Sequence, residues 1–131
     1  MSNRLASCSC GQFTVKVNGE SDRVSICHCL ACQRRTGSVF GEQARFLREN
    51  VTISGVSTEY VRVGDEGSKV KFHFCPSCGS TVYYEPEGLE TFVVIPVGAF
   101  ADPRFPTPSV SVYEESKHQW VIPPPEAEHI P

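Results

Sequence analysis

Three thiols fall within six residues at Cys27-His28-Cys29-Leu30-Ala31-Cys32. In an extended segment, residues i and i+2 point to the same side, so Cys27 and Cys29 can aim at one point. The Leu30-Ala31 pair can turn the chain and bring Cys32 to the same place. Three converging sulfurs make a metal site that lacks its fourth ligand. Zinc sites with four protein ligands are structural, whereas sites with three keep a position open for water or substrate. The stretch predicts metal chemistry at an open site.

The other four cysteines form two tight pairs, Cys8-Ser9-Cys10 and Cys75-Pro76-Ser77-Cys78-Gly79. Two sulfurs at C-x-x-C spacing can span one edge of a tetrahedron, and the glycine after the second admits a positive φ in the tight turn. Such knuckles come in pairs, and Cys8-Ser9-Cys10 is the natural partner. A closed four-cysteine site would clamp the N-terminal strand to the middle of the chain, its metal adding folding free energy that a small β domain lacks. A thioredoxin-like use of the C-x-x-C calls for a βαβ setting, which the sequence does not offer. Spacing alone leaves the partition open. Cys8, Cys10, Cys27 and Cys29 could share one metal, or four cysteines could hold an iron–sulfur cluster.

Composition bounds the rest. With 131 residues, one domain spanning 1–131 is expected, burying roughly two-thirds of its unfolded surface. Met1-Ser2-Asn3-Arg4 opens no secretory signal and the apolar runs are far below a membrane span, so a cytoplasmic address is expected. Disulfides are disfavoured there, and seven cysteines would leave one thiol over. A net charge of −3 and a pI near 5.8 give no electrostatic footprint for nucleic acid.

The elements that must carry these thiols read as short strands. Phe13, Val15 and Val17 alternate with polar residues, the period of a half-buried strand. Val24 and Ile26 lead a second strand into the Cys27 stretch, and Gln33 to Ser38 reads as a turn or helical turn. Further strands are expected over Gly41 to Phe46, Val51 to Ile53, Tyr60 to Val63, Val82 to Tyr84, Thr91 to Pro96 and Val110 to Tyr113. In the strand before Cys75, Val70, Phe72 and Phe74 share one face, with Lys69, Lys71 and His73 on the other. Such short, Gly- and Pro-punctuated strands predict an all-β sandwich or barrel of antiparallel strands. The proline-rich tail, about 121–131, is expected on the surface or disordered, since proline supplies no backbone donor.

The order C-x-C, then C-H-C-x-x-C followed by basic residues and Thr36-Gly37-Ser38, then C-x-x-C-G-S resembles the glutathione-dependent formaldehyde-activating enzyme family, whose domain is shared with centromere protein V. The closing Ser116-Lys117-His118-Gln119-Trp120 is similar to that family's last motif, and the resemblance runs from about Cys8 to Trp120. It implies an Mss4-like, β-tent fold with two zinc ions per chain. Cys8, Cys10, Cys75 and Cys78 would hold a structural zinc, and Cys27, Cys29 and Cys32 an open catalytic one. The implied activity is that of a carbon–sulfur lyase, joining formaldehyde to glutathione as S-hydroxymethylglutathione.

Thiol chemistry suits such a centre. Three thiolates on Zn²⁺ leave a net charge of −1, a poor Lewis acid but a good seat for a soft thiol, which the metal deprotonates at neutral pH. The expected partner is therefore a small-molecule thiol, glutathione being the candidate named by the resemblance. The rival reading is a non-catalytic zinc module for a protein partner, with His28 as a possible fourth ligand. Alternation turns His28 away from the metal, which favours a packing or supporting role. His73 is expected to cover the four-cysteine site. Arg34 and Arg35 could attract carboxylates or form a solvated basic turn, and Trp120 could wall the open position or pack at an edge.

Overall fold

The computed structural model of the chain describes residues 3–131. Strands β1 (Asn3–Ser7), β2 (Thr14–Asn18) and β5 (Val51–Ser54) form a small antiparallel sheet in the order β1-β2-β5. A larger sheet holds β3 (Arg23–Cys27), β4 (Gly41–Leu47), β6 (Thr58–Val63), β7 (Lys69–Phe74), β8 (Thr81–Pro86), β9 (Phe92–Pro96), β10 (Val110–Val112) and β11 (Glu128–His129). Its order is β11-β10-β3-β4-β9-β8-β7-β6. A single α-helix among the described residues, α1 (Leu30–Thr36), follows β3.

The all-β architecture matches the expectation, realised as open sheets and not as a closed barrel. The alternating residues do what their period demands. Phe13, Val15 and Val17 turn inward beside β4's Ala44 and Phe46, β8's Val82 and β9's Val93 and Ile95, all in one core cluster shared by the two sheets. Full burial of a side chain the size of Phe13 or Phe46 is worth about 1.5–3 kcal/mol. The large sheet is also apolar on the centre of its outer face, where Phe72, Tyr84 and Val94 cluster with Val70 against them. This outer cluster is the floor on which the functional site is built.

Four features depart from the sequence expectation. The strand β10 runs parallel to β3, with Val112 opposite Cys27, so the sheet is mixed. Helix α1 starts at Leu30, three residues earlier than the turn expected at Gln33. Strand β7 buries residues on both faces, because His73 stacks on Tyr83 with ring centroids 4.2 Å apart and sits 2.7 Å from Glu85. Those two contacts hold the ring in place. The tail is ordered: β11 pairs in parallel with β10, and Val121 and Ala127 are buried. Pro123, Pro124 and Pro125 lie upstream of this pairing, so they withhold no donor from it. No helix among the described residues is long and apolar enough to cross a membrane.

Candidate metal centres

Strand β1 runs into Cys8 and strand β7 into Cys75, and the sulfurs of Cys8, Cys10, Cys75 and Cys78 lie within 4.8 Å of one another. Cys8 and Cys10 sulfurs are 3.6 Å apart, Cys10 and Cys75 sulfurs 3.7 Å. A tetrahedron with metal–sulfur bonds of about 2.3 Å spaces its sulfurs about 3.8 Å apart, so this donor set fits such an ion. All seven cysteines are free thiols.

The chain also supplies the donors that thiolates need. Phe13 N–H points to Cys8 Sγ at 3.4 Å, Ser77 N–H to Cys75 Sγ at 3.4 Å, and Gln12 Nε2 donates to Cys75 Sγ at 2.9 Å. Backbone N–H groups of Ser80 and Cys10 lower the Cys78 thiol to about 5. Burial opposes ionisation of Cys75, but Gln12 and the amides of Cys78 and Ser77 outweigh it and lower that thiol as well. Gly79 takes φ +82° and returns its N–H to Cys75 O at 2.8 Å, the tight turn that the sequence foresaw.

The second cluster is built where β3 ends. The sulfurs of Cys27, Cys29 and Cys32 also lie within 4.8 Å of one another. Cys29 is the N-cap of α1, its sulfur accepting the Cys32 N–H at 3.3 Å, and Gly37 closes the helix in the left-handed region at φ 73°. One short helix therefore fixes two of the three sulfurs. The Cys32 thiol is lowered to about 5 by the Cys27 thiol, then by Cys29 and the guanidiniums of Arg35 and Arg62. The same pairing with Cys32, reinforced by burial, pushes Cys27 up.

Among the described residues no fourth histidine, cysteine or carboxylate joins this trio. His28 is fully buried on the other side of the strand, 3.0 Å from Ser111 Oγ and edge-on to Phe40. It packs and braces, as alternation predicts. Trp120 is 71 % exposed and lines neither of the cavities beside the trio. Sequence reasoning missed Gln33, whose amide donates to His28 O at 2.9 Å and Ser116 O at 3.1 Å while its carbonyl lies 3.0 Å from His118 Nε2. Gln33 thus fastens α1 to the segment Ser116 to His118. An amide side chain carries no spacing signal that could have revealed it.

Cys32 lines a cavity of about 300 Å³ together with Arg23, Gln43, Arg45, Arg62 and Tyr84. This is at the small end of ligand-sized sites. Tyr84 donates to Gln43 Oε1 at 3.1 Å, and Gln43 Nε2 donates to Ser25 Oγ at 2.7 Å. Burial holds the Tyr84 phenol well above its ordinary range, so it stays a neutral donor. Arg45 is paired with Asp22, whereas Arg23 and Arg62 have no carboxylate partner among the described residues. The arrangement can seat a metal on three sulfurs and receive an anionic ligand beside it.

A crystal structure of a Rhodobacter sphaeroides protein shares this fold, with TM-score 0.59 and 20% identity over 76% of this chain and 92% of that one. A family model described as glutathione-dependent formaldehyde-activating enzyme matches residues 3–116. That span holds all seven cysteines and both clusters. The chain belongs to the glutathione-dependent formaldehyde-activating enzyme family.

Proposed function

We propose that the chain is one zinc-binding domain that makes or breaks the carbon–sulfur bond of a thiol–aldehyde adduct such as S-hydroxymethylglutathione. The reading assigns a structural zinc to Cys8, Cys10, Cys75 and Cys78 and a catalytic zinc to Cys27, Cys29 and Cys32. The observation that carries it is an uncompleted three-sulfur cluster whose Cys32 lines a cationic cavity. Zinc on three thiolates supplies a position that holds an incoming thiol as its thiolate near neutral pH.

The chain's own groups supply recognition and placement. Arg23 and Arg62 offer charge-assisted hydrogen bonds to the carboxylates of a thiol such as glutathione. Val70, Leu89 and Val94 give the cavity an apolar wall. In the synthetic direction the sulfur adds to the aldehyde carbon and the carbonyl oxygen takes up a proton. In reverse, the carbon–sulfur bond breaks and the hydroxyl proton is returned. Holding both reactants in one cavity removes the entropy cost of their encounter. A reducing cytoplasm, where thiols persist unoxidised, suits this chemistry. The rival reading as a partner-binding zinc module draws on one feature, the edge strand β6 with Tyr60 and Val63 well exposed.

Calorimetry of the zinc-loaded protein with glutathione and its serine analogue, in buffers of different ionisation enthalpy, tests the proposal. Glutathione should bind with release of a proton, and the serine analogue should bind at least about tenfold more weakly, a difference of about 1.4 kcal/mol. Equal binding of the two without proton release contradicts a sulfur-directed site. Binding of another thiol in place of glutathione keeps the chemistry and replaces the substrate.

A further inference from the structure

A second cavity, of about 580 Å³, adjoins the first through the shared side chain of Arg62. Its cations are Arg34 and Arg35 from α1 and Arg62 from β6, and its rings are Tyr60, Phe72 and Phe74. No acidic side chain lines it, although the whole chain carries a net charge of −3. The guanidiniums of Arg35 and Arg62 lie 5.3 and 5.0 Å from the centre of the same Phe72 ring, and Arg35 is also 5.1 Å from that of Tyr84. Arg35 Nε is buried without a hydrogen-bond partner. The Cys32 thiol is one negative neighbour of both guanidiniums, so three arginines around this cavity leave positive charge in excess of it, which an anionic ligand would neutralise.

We propose that Arg35 and Arg62 form a carboxylate-binding element of this second cavity, and that its ligand is an organic anion with the carboxylate carried on an aryl-like apolar body. The two guanidiniums present several donors in fixed planes, which suits a carboxylate better than a point charge would. Phe74 and Tyr60 give the apolar body a wall to stack on. Bare glutathione has no aryl or extended apolar group to place there, so the thiol or the aldehyde that this site selects is larger. What is done to the ligand rests on the thiol-adduct reading; that it binds here does not.

The test uses benzoate, which carries no sulfur, and benzamide, its neutral counterpart, titrated into the full-length zinc-loaded protein by calorimetry. Benzoate should bind at least about tenfold more tightly than benzamide, the scale of one charge-assisted contact. Arg62→Gln should abolish that preference, Arg62→Lys should restore part of it, and Arg104→Gln, an exposed arginine that lines neither cavity, should leave it intact. If Arg62→Gln fails to fold by circular dichroism, Arg35→Gln, which removes the other guanidinium over Phe72, makes the same comparison. Equal binding of benzoate and benzamide, no binding of either, or a preference indifferent to these arginines overturns the proposal. Benzoate binding through Arg62 without any glutathione binding would instead remove the thiol chemistry and leave this subsite standing.

Discussion

At the scale of single residues, the account divides seven sulfurs into four that hold the fold and three that do chemistry. Cys75→Ser should therefore lose most of the chain's thermal stability, because a structural zinc contributes folding free energy of about 10–16 kcal/mol in small domains. Cys29→Ser should keep the melting temperature within a few degrees. Serine is a preferred N-cap, so it can still receive the Cys32 N–H that Cys29 accepts. Equal losses in both variants, measured by thermal melts, would contradict the division. Gly55 is a less visible dependency. It sits at φ +99°, and a Cβ there would stand 2.0 Å from the carbonyl oxygen of Gln12, the residue whose amide binds both Cys75 Sγ and Val56 O. Gly55→Ala should destabilise by at least about 2 kcal/mol in denaturant melts and weaken metal retention at the four-cysteine cluster. The grouping of the seven thiols was legible because cysteine spacing is a strong signal, whereas their division into four and three was implied by the family resemblance and not by spacing. Gln12 and Gln33 were not legible, because what they do depends on tertiary neighbours.

At the scale of elements, the C-terminal segment does more than its composition suggested. Strand β11 pairs beside β10, which pairs in parallel with β3, the strand that ends on Cys27. His129 Nδ1 lies 2.6 Å from Glu114, and this contact fastens the tail. The Glu114 carboxylate raises the pKa of His129, and hydrogen bonds from Ser111 and then His129 lower that of Glu114. A raised histidine pKa adds stability below the unfolded value, near 6.5, that is lost as pH rises through the folded one. A lowered carboxylate pKa adds stability above its unfolded value, near 4.5, that is lost as pH falls through the folded one. Tail protection in hydrogen exchange should therefore be greatest between about pH 4.5 and 6.5, and His129→Gln should flatten the profile. An unchanged profile in that variant would reject the clasp. Alternation made β2 and β7 readable from sequence. A two-residue strand after three prolines has no period to read, and the parallel β3–β10 pairing joins residues more than eighty positions apart.

At the scale of the molecule, an acidic chain turns a basic face to its site. The two adjoining cavities are lined by Arg23, Arg34, Arg35, Arg45 and Arg62, with no acidic side chain among them. That field should draw anionic ligands toward the three-cysteine cluster and weaken with salt. Doubling the ionic strength should lower the association rate of an anionic thiol more than that of a neutral one, as stopped-flow measurement would show; equal effects on the two would contradict such steering. This concentration of charge was hidden in the sequence, because the arginines come from α1, β3, β4 and β6 and meet only in the folded sheet. The central claim is that the second cluster holds a zinc ion with one position left for a thiol. X-ray absorption at the zinc edge reads this directly. The account predicts seven cysteine sulfurs shared by two zinc ions in the free protein and an eighth sulfur when a thiol binds. A single zinc ion, a histidine nitrogen completing the three-cysteine site, or a sulfur count that no thiol changes would contradict it.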